Sequence, residues 1–256
     1  MNNGMEPMPK RSSLRGPLLA ALLAVCSTST TANTTRSAQP TPLPSERFPC
    51  AAFTNDATYI DFSIRMELED KTVPLSIPIQ FFEDFWDRRS GYETQAQLFR
   101  VEIGSFEPVS RKETSVRTRK GVRNWFRFLI KDHIPLEDIA HMHMKLSGPF
   151  EFGQQLTGEY KRLPAKYGLK ELDFPDKQPE YRRPENVFVD ENSETGIAAV
   201  IKCFAPGSFK FPGCQLYFRA AALDVSVNFR RTELPNWQKF QADITQFLTC
   251  ATSSGA

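Results

Sequence analysis

Residues 33–256 contain no uncharged stretch of the ~20 residues that a membrane-spanning helix needs, so that part of the chain offers no helical span. There is also no Gly-x-Ser-x-Gly elbow, no His-Glu-x-x-His, no Cys-x-x-Cys and no glycine-rich phosphate loop. The linear signatures of serine hydrolysis, zinc hydrolysis, thiol redox chemistry and nucleotide binding are therefore missing. Histidine is scarce: His133, His141 and His143 are the only three. A surplus of either charge is missing too. The formal net charge of +2 comes from Lys10, Arg11 and Arg15 near the start, offset only by Glu6, and the remainder is neutral. That balance gives no argument for nucleic acid, and no cofactor or small-molecule substrate is implied.

What is present begins with an export signal. Three basic residues precede the apolar run Leu18 to Val25, and the small residues Ser27 to Ala32 follow, the order of a cleavable secretory segment over residues 1–32. Cys26, after Leu23-Ala24-Val25, resembles the cysteine of a bacterial lipobox and is the lipidation candidate; cleavage after Ala32 is the competing reading. The expected location is the periplasm, either soluble or lipid-anchored to the envelope. A Pro-rich leader, 33–49, is read as disordered.

Outside the signal, Cys50, Cys203, Cys214 and Cys250 remain, an even number suited to disulfides in an oxidising compartment. Cys203 and Cys214 bracket the Pro/Gly loop 205–213 and are paired across it, leaving Cys50 for Cys250. The alternative is that one or both of this last pair is a free thiol.

Strict alternation from Tyr59 to Glu69 predicts a half-buried strand, with Ile60, Phe62, Ile64, Met66 and Leu68 inward. Residues 73–79 read as an edge strand because of Pro74 and Pro78. Further strands are expected at 97–103, 124–130, 139–146, 197–204, 215–220 and 222–230. Residues 81–88 are a helix candidate in which Glu83 and Asp87 would share a face. Pro235 is expected to open a helix with Trp237, Phe240, Ile244 and Phe247 on one face. The fold class is thus α+β, with antiparallel sheets and a C-terminal helix packed on the sheet. The proline-rich, charged stretch 164–186 reads as a connector between two lobes, 50–163 and 187–250, which are candidates for related units. Residues 251–256 read as a disordered tail.

Two groups of residues carry functional expectations. On a strand, His141 and His143 would share a face and, with His133, make a weak metal candidate, against the simpler reading of solvent-facing imidazoles. Arg111, Lys112, Arg117, Arg119, Lys120, Arg123, Arg127 and Lys131 form the densest basic stretch, the first six being the partner-contact candidates. Such a stretch suits an acidic protein or anionic lipid, unless Asp56, Asp61, Glu67, Glu69 and Asp70 are folded alongside it. Phe82 and Trp86 are aromatic candidates for the same contact, against the reading that they fill the core.

The C-terminal pattern runs Cys203, Pro/Gly loop, Cys214, Tyr217-Phe218, an alternating strand to Phe229, then Leu234, Trp237, Ile244 and Phe247. It resembles exported or lipidated bacterial proteins that include periplasmic immunity proteins against type VI secretion lipase effectors. The resemblance implies a non-enzymatic protein that neutralises a secreted effector toxin by direct occlusion. An envelope-associated structural or sensory protein is the alternative, and a hydrolase the third.

Overall fold

The computed structural model describes residues 49–147, 159–174, 185–192 and 194–253. The export segment, Cys26 and residues 254–256 lie outside the described residues. In chain order the main elements are β1 (Tyr59–Met66), β2 (Lys71–Pro78), β3 (Tyr92–Thr94), β4 (Ala96–Glu102), α1 (Arg111–Arg119), β5 (Trp125–Lys131) and α2 (Leu136–Ser147). They continue with β6 (Lys161–Pro164), β7 (Lys170–Asp173), β8 (Glu185–Asn192), β9 (Gly196–Phe204), β10 (Gly213–Ala220), β11 (Leu223–Arg230) and α3 (Trp237–Ser253).

The alternating segment becomes β1, which buries Ile60, Phe62, Ile64 and Met66. It pairs antiparallel with β2 and parallel with β3 in a three-stranded sheet ordered β2-β1-β3. Pro74 and Pro78 sit on β2, an edge strand, where a missing N–H breaks no inner ladder. The second sheet has eight strands in the order β4-β5-β11-β10-β9-β8-β7-β6, all paired antiparallel. Helix α3 buries Trp237, Phe240, Ile244, Phe247, Leu248 and Ala251. Its stripe packs into one core with β1, β2 and the inward side chains of β4, β5, β10 and β11. Phe247 is the hub of that core, with ring centroids of Phe81, Phe53 and Phe106 at 4.8, 5.3 and 5.3 Å. Helix α2 packs on the opposite side of the large sheet, over Val187, Val189, Val200 and Tyr217.

Several expectations are corrected. The two proposed lobes share one sheet: β5, from the first, is hydrogen-bonded to β11, from the second. Alternation within each stretch reports a buried face but not which strand lies beside it. The supposed connector contributes Pro164 to β6 and all of β7 to this sheet. Residues 139–146 are helical, because Leu136, Ile139, Ala140, His143, Met144 and Ser147 form a buried stripe at helical spacing that a period of two also partly fits. Residues 81–88 form no helix, only short 3-10 turns at Ile79–Phe81 and Phe85–Asp87. Pro235 lies in a 3-10 turn, Arg231–Asn236, that precedes α3. The helix runs to Ser253 with Ala251 buried, so the chain does not become a tail directly after Cys250.

Both expected disulfides are formed, Cys203–Cys214 with Cα atoms 4.1 Å apart and Cys50–Cys250 with Cα atoms 6.1 Å apart. The first joins directly opposed residues of β9 and β10 at the base of the 205–212 loop. The second ties the first described turn to the last turn of α3. No helix among the described residues is long and apolar enough to cross a membrane.

Candidate functional site

The face of the large sheet that receives α2 is only partly covered. Beyond the helix, the outward side chains of β5, β9, β10 and β11 and the 205–212 loop line an open groove of about 380 Å³. Alternation on β5 sends Phe126 and Phe128 into the core and leaves Trp125 and Arg127 on this outer side. The same rule on β11 buries Val227 and Phe229 and turns Asn228 and Arg230 outward. Arg123, Trp125, Arg127, Lys202, Gln215 and Arg230 line the groove, and no carboxylate among the described residues does.

Phe211 organises its cations. The Arg230 and Arg123 guanidinium carbons lie 4.9 and 5.2 Å from the ring centroid, within the range of cation–π attraction. Burial, and then the like charge of Arg123, lower the pKa of Arg230. The buried Nε of Arg230 and the buried indole Nε1 of Trp125 have no hydrogen-bond partner among the described residues. Lys202 is engaged, pairing with Glu185 at 3.1 Å and lying 4.5 Å over the Phe204 ring. The exposed Phe211 ring stands in the groove lining, and the exposed Phe209 packs on the lining residue Phe204 with ring centroids 4.8 Å apart. The chemistry on offer is that of hydrogen-bond donors and positive charge held beside aromatic surface.

A second feature is the turn after β2. Phe82 is 1% exposed and packs edge-on against Phe62 and Phe99, so it fills the core and is no partner contact. Glu83 pairs with Arg100 and accepts from the backbone N–H of Arg111, and Arg88 Nε donates to the Phe82 carbonyl at 2.9 Å. These bonds fix a turn that leaves Phe85 and Trp86 outside, 80% and 75% exposed, with ring centroids 5.7 Å apart.

The basic stretch divides. Residues 111–119 form the helix α1; Ser110 caps it by accepting from the N–H of Glu113, as the Ser-x-x-Glu spacing favours. Arg117 is structural: it pairs with Glu102 and Glu113 and reaches Asn124 Oδ1 at 3.2 Å. Arg111 lies 3.6 Å from Asp84 on the surface, and Lys112, Arg119 and Lys120 are exposed. Of the acids expected to balance this stretch, Asp70 pairs with Arg65 and Glu69 with Lys71 and Arg219. Of the stretch, Arg123 and Arg127 belong to the groove. Apart from the adjacent Trp125, the other groove residues come from β9, β10, β11 and the 205–212 loop, distant in sequence, which no linear reading assembles.

The histidines are not brought together as metal ligands. On α2, His143 is buried and hydrogen-bonded to Tyr217 Oη at 3.2 Å, whereas His141 bonds Tyr160 Oη at 2.8 Å. The Nδ1 of His133 lies 2.8 Å from the Ile134 carbonyl oxygen and 3.6 Å from Asp224 Oδ2. Among the described residues no group of three His, Cys, Asp or Glu side chains stands ready for a metal ion.

No family model matches the chain, and no curated protein matches it. Among solved structures it is similar to Smlt3025, an immunity protein of the Stenotrophomonas maltophilia type IV secretion system. Identity there is 16% and the TM-score 0.49, over 77% of this chain and 95% of that one. It is also similar to the Neisseria meningitidis iron-regulated outer membrane lipoprotein FrpD, at 11% identity and TM-score 0.44, over 76% and 92% of the two chains. Neither is described as a type VI lipase immunity protein, and likeness at this level says nothing about partners.

Proposed function

We propose that this chain is an extracytoplasmic binding protein of the immunity type, which neutralises a secreted toxic effector by covering it. The observation that carries the reading is the donor-rich groove, two of whose arginines, Arg123 and Arg230, lie against Phe211, with no carboxylate among the described residues of its lining. A charge cluster kept beside apolar surface costs stability in the free protein and is repaid in a complex. The displayed Phe85–Trp86 pair supports the reading, because aromatic residues concentrate binding energy at protein interfaces. The two disulfides suit an oxidising compartment, and the export-like start suits periplasmic delivery, with or without a lipid on Cys26. A lipase of a type VI system is the effector class that the C-terminal resemblance suggests.

The test is capture from the producing organism's lysate with the oxidised full chain. One stoichiometric partner whose toxic activity falls on binding is the expected result. Recovery of envelope components alone would overturn the proposal in favour of a structural role. In the variant Phe85→Ala/Trp86→Ala the melting temperature should stay within about 2 °C of the parent, because exposed side chains add little to stability, while capture weakens.

A further inference from the structure

We infer that the groove seats an acidic segment of the partner protein, with one carboxylate entering between Trp125, Arg127 and Arg230. This rests on the binding reading above and adds the partner's chemistry to it.

Three observations lead there. The charged side chains of the lining are all cations, and their N–H groups can only donate, so the complementary ligand accepts hydrogen bonds and carries negative charge. Two of the donors, Trp125 Nε1–H and Arg230 Nε–H, are buried without an acceptor among the described residues. A buried N–H left unpaired carries an uncompensated desolvation cost, so a small side-chain shift that brings either one onto an incoming carboxylate oxygen would recover it. Finally, Arg123 and Arg230 are both held against Phe211 despite their like charge. Their guanidinium forks are thus set in place before a ligand arrives, and a planar carboxylate matches that geometry in a way a lysine-lined site would not enforce.

The shape selects among acidic partners. The unpaired Trp125 and Arg230 donors lie below the surface beside the exposed Phe211 ring, where a flat lipid surface does not reach and a side chain projecting from a protein loop can approach. That ring supplies apolar contact for residues flanking the acid.

The chain has three tryptophans, and their indole N–H signals separate the possibilities. Trp237 Nε1 is committed to the Tyr167 carbonyl at 3.0 Å and Trp86 is exposed, which leaves Trp125 as the reporter. The oxidised, 15N-labelled full chain is titrated with a capped hexaglutamate peptide, with inorganic phosphate, and with phosphatidylglycerol vesicles, the indole signals being assigned with Trp125→Phe. The expected result is a saturable shift of the Trp125 signal with the peptide alone, the Trp237 signal staying still. Arg127→Gln and Arg230→Gln should each weaken the peptide about tenfold, the usual effect of losing one charge-assisted contact. No Trp125 shift with the peptide, unchanged affinity in both variants, or an equal response to phosphate or vesicles would overturn the inference. Capture of an effector by a chain whose Trp125 ignores the peptide would sink this inference and leave the proposed function standing. A clear peptide response with no effector captured would do the reverse.

Discussion

His143 is 6% exposed beneath Tyr217; burial, followed by the nearby Lys202, lowers its pKa to about 4. Tyr217, pushed up to about 12 by its own burial, keeps its proton throughout the range in which the histidine responds. In the unfolded chain the imidazole titrates near 6.5. Between pH 6.5 and 4 the unfolded state therefore binds the extra proton, so stability is full above 6.5 and is lost as the pH falls toward 4. The loss attributable to this group is at most about 3 kcal/mol. Urea midpoints at pH 7 and pH 4.5 should separate in the parent and draw together in His143→Gln, which can still reach the Tyr217 hydroxyl. An unchanged gap would place the acid loss on other groups. Nothing local marks His143 as the buried histidine and His141 as the half-exposed one; only the helical turn of α2 on Val200 and Tyr217 distinguishes them.

Among the elements, the β10–β11 hairpin combines a readable part with a hidden one. Its strands were legible because apolar residues alternate, and Leu223, Val225, Val227 and Phe229 do face the core. Their polar counterparts Asp224 and Ser226 are buried as well, because the other side of the sheet is covered there. The turn carries no signal at all. Ala221 and Ala222 both have positive φ, 48° and 63°, a conformation that strains a residue with a Cβ and that an Asn-Gly pair adopts readily. The double substitution Ala221→Asn/Ala222→Gly should raise stability by about 1 kcal/mol. The measurement is the denaturant midpoint, and no gain would mean that the alanine turn is not strained. At the far end of β10, removing the Cys203–Cys214 link, which spans 11 residues, should cost about 3 kcal/mol on loop-closure grounds. It should also quicken backbone motion at Phe209 and Phe211, read by amide relaxation.

For the molecule as a whole, the Cys50–Cys250 bond spans 200 residues and so removes more unfolded-state freedom than the short loop does. Cys50→Ala/Cys250→Ala should cost about 5 kcal/mol, against about 3 for the other pair. Comparing the two variants by urea unfolding tests that order, and a reversed order would point to residual structure near the termini of the unfolded chain. Phe247→Ala, which empties the centre of the aromatic core, should cost about 3–5 kcal/mol by calorimetry or urea. The sequence by itself determined the fold class, alternating strands such as β1 and β11, the closing helix stripe and an even cysteine count suited to disulfides. Periodicity and parity are local or countable properties, so they can be read from one chain. Tertiary structure alone decided that β5 lies beside β11, that Phe82 is buried while Trp86 is displayed, and that Arg123, Arg127 and Arg230 converge on one groove. Strand order, side-chain burial at a turn and the meeting of distant cations depend on contacts between residues far apart in sequence, and no local pattern encodes those.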